Sequence, residues 1–219
     1  MHTFIKTLVV AGIAIGGAAQ ASQITFETAS STAGAQASAD DYRSVVNAAF
    51  AADSSPHSTP IALYDNLSKS GLFGGSAQNI AFRSTIDFGV DAGQAGSWGL
   101  RAGVDFGFGG AVFLDGVALG FKTNDMWWSG SYGNTDGTFD FMPVAVGAGN
   151  HRLQLFGLEG CCDGGQNAQF SINSAPYVTF GSNDGLTAAV PEPETYALML
   201  AGLAAIGATT RRRRAGKAA

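Results

Sequence analysis

The middle of this 219-residue chain reads as an all-β domain, an antiparallel jelly-roll-like β-sandwich, and three features of the sequence predict it. Glycine, at 31 residues, and other turn formers punctuate short runs of aromatic and β-branched residues. The clearest run alternates strictly: Trp98, Leu100, Ala102, Val104 and Phe106 share one face, as in a half-buried strand. Asp115-Gly116 stands between two apolar runs and is a strong hairpin signal. The stretch 22–189, about 170 residues, is enough for one such core.

Taken in order, residues 23–27 alternate as a strand and 29–39, small and polar, read as a loop. Asp40-Asp41 is expected to cap a short helix to residue 51, with Val45, Val46, Ala49 and Phe50 as its apolar face. Residues 54–60 read as a turn-rich link, 61–64 as a strand and 67–76 as a Gly-rich loop. Ile80, Phe82, Ile86 and Phe88 mark the next strand, and 98–106 the one after it. Residues 111–114 and 117–121 flank the hairpin turn. The segment 123–137 is expected to be a loop, and it holds Trp127, Trp128 and Tyr132. Strands follow at 139–146 and 151–158, then a loop at 160–167 and two closing strands at 169–173 and 177–180.

The domain is expected to be flanked by an N-terminal signal helix and a C-terminal transmembrane helix. Residues 1–21 combine a short start carrying Lys6, an apolar run over 8–19 and the small-x-small triplet Ala19-Gln20-Ala21. That is the layout of a secretory signal cleaved after Ala21, and the run is too short to span a bilayer. It implies handling by the Sec machinery and signal peptidase. Residues 190–219 have three parts: Pro191, Glu192 and Pro193, then an apolar segment over 195–210, then Arg211, Arg212, Arg213 and Arg214. The prolines hold an extended, accessible strand. The apolar part, about 16 residues, just crosses a bilayer, and the arginines stay cytoplasmic. This tail resembles the PEP-CTERM sorting signal of exopolysaccharide-producing Gram-negative bacteria. The resemblance implies processing near Pro191-Glu192-Pro193 by exosortase, a membrane transpeptidase. The protein is then expected to be anchored first in the inner membrane, facing outward, and afterwards at the outer surface or in the extracellular matrix.

Between those ends, 15 acidic residues stand against 6 basic ones, a formal net charge of −9. A phosphate backbone would be repelled, which excludes nucleic acid and leaves cations and hydroxyl-rich ligands. The two cysteines, Cys161 and Cys162, are adjacent. In an oxidising compartment they bond either to each other or between chains. A bond between neighbours closes an eight-membered ring, a rigid apolar knuckle suited to stacking on a ligand.

The middle of the chain carries Trp98-Gly99-Leu100-Arg101, then Val112-Phe113-Leu114-Asp115-Gly116, then Gly149-Asn150-His151-Arg152-Leu153, then Ala168-Gln169-Phe170. This order is similar to the β-sandwich shared by anthrax protective antigen and the yeast flocculin adhesins. The resemblance implies sugar binding through a calcium ion held by two adjacent aspartates. The chain departs there, with Asp105-Phe106-Gly107 supplying one aspartate of the two. Cys161-Cys162-Asp163-Gly164 also resembles the motif of a Cys-Cys-x-Gly group of PEP-CTERM proteins, to which no activity is assigned.

Candidate ligand-binding residues are therefore Trp127, Trp128, Tyr132 and Asp163, whose aromatic members can stack on sugar rings. Candidate calcium ligands are Asp105, Glu159 and Asp163; no other cofactor is expected. No nucleophile elbow, zinc motif or phosphate loop occurs, and no catalytic residue is assigned. The expected function is non-enzymatic binding of exopolysaccharide or envelope glycans. The alternatives are a structural biofilm-matrix protein without a discrete ligand and a glycoside hydrolase, whose two carboxylates leave no local signature.

Overall fold

The structure, a computed structural model, describes residues 22–189. The expected signal helix with Ala19 and Ala21, and the expected transmembrane helix with its Pro-Glu-Pro and arginine elements, lie outside the described residues. Among the described residues no helix is long and apolar enough to cross a membrane.

Strand β1 (Gln23–Ser30) opens the domain and is followed by helix α1 (Ala39–Ala52). The helix is capped by Ser38, whose hydroxyl accepts the Asp41 N–H at 3.1 Å and donates to the Asp41 carboxylate at 2.7 Å. Asp40 and Asp41, expected as the cap, instead occupy the first turn, where negative charge favours the helix dipole. Strand β2 (His57–Ile61) lies about four residues before the one expected at 61–64. It pairs only with β1, so it is an edge strand, where Pro60 and its missing N–H are tolerated. The expected loop at 67–76 contains a short helix, α2 (Lys69–Phe73).

Strands β3 (Ile80–Val90) and β4 (Gly96–Gly103) follow. The alternating run 98–106 does not stay one strand. At Val104 the chain leaves β4, the Val104 N–H bonding to the Gly137 carbonyl at 3.0 Å. It continues as β5 (Asp105–Phe106), which pairs with β8 (Met126–Trp127) inside the expected loop. All five alternating residues are nonetheless buried, as their period requires. Between β5 and β8 lies the hairpin of β6 (Gly110–Leu114) and β7 (Val117–Lys122). Its turn residues Asp115 and Gly116 have φ of 51° and 79°, the left-handed pair that a two-residue hairpin turn needs. A 3₁₀ turn (Thr135–Gly137) leads to β9 (Thr138–Val146), β10 (Gly149–Glu159), β11 (Asn167–Ile172) and β12 (Val178–Thr179).

The strands form a six-stranded sheet in the order β2-β1-β3-β10-β6-β7, a four-stranded sheet in the order β12-β11-β4-β9, and the β5-β8 pair. Every pairing is antiparallel. The core lies between the two large sheets. Phe26, Phe82, Ile86, Phe88 and Leu155 of one sheet share it with Trp98, Leu100, Phe139 and Phe170 of the other. Helix α1 covers the outer face of the six-stranded sheet, burying Tyr42 and Val46 against Phe113, Phe156 and Leu158. With both faces covered, β6 is buried along its whole length, which explains why its sequence is a continuous apolar run.

The two ends of this stretch are stitched into the same end of the sandwich. The Ser22 hydroxyl donates to Asp184 Oδ2 at 2.6 Å, and Thr187 pairs with Gly89 at the end of β3. Both hydrophobic clusters described above lie within residues 22–189.

Candidate functional site

At the opposite end of the sandwich, where β10 finishes and β3 begins, a cleft of about 730 Å³ opens between loops. Its construction starts at Glu159, the last residue of β10 and 2 % exposed. Its Oε1 accepts the N–H groups of Cys161 and Cys162 at 2.8 and 3.3 Å, and its Oε2 accepts that of Gly107 at 2.5 Å. One carboxylate thereby holds the turn after β10 against the turn after β5. On that brace sits the disulfide between Cys161 and Cys162, the intramolecular one of the two pairings open to the sequence.

The next two residues fix the loop from its other side. Asp163 accepts the N–H groups of Lys69 and Ser70 at 3.0 and 2.5 Å, capping α2 together with Ser68. The Gly164 N–H donates to Asp105 Oδ2 at 2.6 Å. A Cβ at Gly164 would run into the Trp127 ring and that same carboxylate, so the glycine is what permits the close approach. Every residue of Cys161-Cys162-Asp163-Gly164 is therefore engaged in building the cleft.

The cleft wall is apolar in part. Trp127 is 50 % exposed and Phe108 37 %, and both line it beside the disulfide. Asp105, Asp125 and Asn79 add polar atoms. Burial pushes the Asp105 carboxyl up to about 6; the Gly164 hydrogen bond opposes this, and the charges of Glu159, Asp125 and Asp163 add to it.

Of the residues singled out in the sequence, Trp127, Cys161, Cys162, Asp105 and Glu159 come together here. Trp128 and Tyr132 do not line this cleft. Trp128 is buried against Gly103 and donates its indole N–H to the Gly165 carbonyl. The Tyr132 ring lies 5.3 Å from that indole, with the Arg101 guanidinium 3.8 Å from the Tyr132 ring centre and the Tyr132 hydroxyl donating to Asn167. Successive strand residues point to opposite sides, so of the Trp127-Trp128 pair one faces out and the other in. Asp163 does not line this cleft; both its oxygens accept N–H groups of α2. Of the expected calcium trio Asp105, Glu159 and Asp163, both oxygens of Glu159 and of Asp163 accept backbone N–H groups, and one oxygen of Asp105 does. Among the described residues no group of three or more His, Cys, Asp or Glu side chains is arranged to hold a metal ion. Asn79, Phe108 and Asp125 were not singled out beforehand; the nearest signal was the Asp-Phe-Gly-Phe run at 105–108.

Residues 189–214 match the family described as the PEP-CTERM protein-sorting motif. The chain carries a PEP-CTERM sorting signal. Among curated proteins no sequence matches. Among solved structures the fold is similar to the PA14 sugar-binding domain from an RTX adhesin, at 13 % identity and a TM-score of 0.47, covering 79 % of this chain and 100 % of that one. It is similar to the PA14 domain of the MpAFP antifreeze protein, at 10 % identity and a TM-score of 0.46, covering 77 % and 91 %. The A domain of epithelial adhesin 6 from Candida glabrata, solved in complex with Galβ1-3GlcNAc, gives 10 % identity, a TM-score of 0.47, and coverage of 82 % and 92 %.

Proposed function

We propose that this is an exported, non-enzymatic binder of exopolysaccharide or envelope glycans, and that the sugar docks in the cleft floored by the disulfide. The observation that carries the reading is one juxtaposition. A half-exposed indole and an apolar disulfide stand beside the carboxylates of Asp105 and Asp125 in one cleft. A pyranose has an apolar face, which stacks on aromatic and sulfur surface, and an equatorial rim of hydroxyls, which donate to carboxylates. The address agrees with this. Sec export, cleavage after Ala21 and exosortase processing near Pro191 would deliver the domain to the outer surface or the matrix, where such chains are.

The test is calorimetric titration of residues 22–189, made in an oxidising compartment, with the producing bacterium's own exopolysaccharide, in calcium and in chelator. Saturable binding that survives chelation and is lost in Trp127→Ala supports the reading. Binding lost on chelation would bring calcium in as a cofactor, with Asp105 and Asp125 as its carboxylates. No binding in either condition favours a matrix protein without a discrete ligand. One observation favours a hydrolase instead: Asp105, raised to about 6 in a cleft with other carboxylates, has the character of a general acid. Release of reducing sugar with time, lost in Asp105→Asn, would establish it.

A further inference from the structure

A second, smaller cleft of about 310 Å³ lies beside the first, and Asn79 lines both. Asn79 is exposed and left-handed, with φ of 56°, a conformation asparagine tolerates better than most residues. Its backbone is fixed from both directions. The N–H donates to the Gly160 carbonyl beside the disulfide at 3.3 Å, and the carbonyl accepts the Ser31 N–H after β1 at 2.8 Å. Its carboxamide makes no hydrogen bond among the described residues. A free amide is therefore held at the junction of the two clefts by a backbone that cannot easily turn it away.

The second cleft is polar. Thr28 lines it, 1 % exposed, and its hydroxyl has no hydrogen-bond partner among the described residues. A buried hydroxyl left unpaired is costly, and a ligand supplying the partner recovers that cost. Lys69 gives its ammonium to the carbonyls of Gly74 and Ser76, at 2.6 and 2.9 Å, which leaves one of its three donors. His57 adds a ring nitrogen, and the Asp53 carboxylate there already accepts the N–H groups of Ser30 and Ser55. Donors and acceptors of both kinds, with no dominant charge, suit uncharged hydroxyl-rich units.

We infer that the two clefts form one extended site, which takes an internal stretch of an uncharged polysaccharide chain: one unit stacks on Trp127 and the disulfide, and the following units pass Asn79 to hydrogen-bond with Thr28, Lys69 and His57. This rests on the glycan reading of the first cleft and adds the length and polarity of what is bound.

The experiment uses size-fractionated oligosaccharides released by mild acid from the same exopolysaccharide, titrated into isotopically labelled residues 22–189 while backbone amide resonances are followed. Short fractions are expected to move only the amides at 105–108 and 159–164. Longer fractions are expected to move those at 28–30, 55–57 and 76–79 as well, and to bind about tenfold more tightly. Thr28→Val, which keeps the side-chain shape, is expected to remove most of that gain. Affinity independent of length, or long fractions moving only the first cleft, overturns the extended site and leaves the first cleft standing. Absence of binding at every length overturns both.

Discussion

Where residues 184–189 leave toward the sorting motif, the sandwich is closed by neutral, largely backbone contacts. Gly89 and Thr187 exchange two hydrogen bonds of 2.7 and 3.0 Å, Gln94 ties Asp91 to Gly185, and the Trp98 indole donates to the Gln94 carbonyl. Asp184 is the one carboxylate in this clasp, accepting from Ser22, Gly181 and Leu186. At the cleft end, roughly 33 Å away along the eleven residues of β3, the loops are held by Glu159, Asp163 and Asp105 accepting backbone N–H groups, and by a disulfide. The difference teaches where function sits. The exit end is built to hold the chain shut, whereas the cleft end concentrates buried carboxylates, half-exposed aromatic surface and an adjacent-cysteine ring. The cleft stands at the end of the sandwich away from residues 184–187.

The sharpest way to break this contrast is Glu159→Ala. It strands three N–H groups around a side chain that is 2 % exposed, and a loss of roughly 3 kcal/mol is expected in denaturant unfolding, together with loss of glycan binding. A small stability loss would mean that the loop does not depend on the carboxylate. Asp184→Ala at the exit end is expected to cost less, about 1–2 kcal/mol, and to leave binding unchanged; weakened binding would show that the two ends are coupled. Removing the disulfide in the Cys161→Ser, Cys162→Ser double variant releases almost no chain entropy to the unfolded state, so only about 1 kcal/mol of stability is expected to go, while calorimetry should show binding strongly reduced.

The last expected effect is confined to a pH window. The folded state raises the Asp105 pKa from an ordinary 3.8 to about 6. Its neutral form is therefore favoured on folding, and this contribution is present in full below about pH 4 and is lost as pH rises through 6. Asp105→Asn is expected to raise the melting temperature at pH 7.5 by a few degrees and to leave it nearly unchanged near pH 4. A lower melting temperature at pH 7.5 would indicate that the ionised carboxylate has a favourable partner.

Much of the fold was legible because it follows local rules. The period-two run from Trp98 to Phe106 fixed which side chains enter the core, and Asp115-Gly116 fixed a hairpin. The strand break at Val104 was not legible, because alternation continues straight through it; what breaks the strand is a bond to Gly137, 33 residues on. Of the site, the adjacent cysteines and the Trp127-Trp128 pair stood out by their own chemistry. Which tryptophan faces out depends on Gly103 packing under Trp128, and sequence alone does not show that. That Asp163 caps a helix 94 residues earlier was likewise not legible, because the two segments meet only in the fold. Asn79 reaches the cleft only through the meeting of distant loops, whereas Phe108 and Asp125 stand close in sequence to Asp105 and Trp127 but carry no signal of their own that sets them apart.

The three indole N–H groups offer the most direct measurement. Those of Trp98 and Trp128 are bonded to the carbonyls of Gln94 and Gly165, while Trp127 stands half-exposed in the cleft. Their resonances in labelled residues 22–189 should be followed during titration with exopolysaccharide oligosaccharides. The account predicts that the Trp127 signal shifts saturably while the Trp98 signal, at the far end, stays in place. A shift of Trp98 alone, or none at saturating sugar, would contradict it.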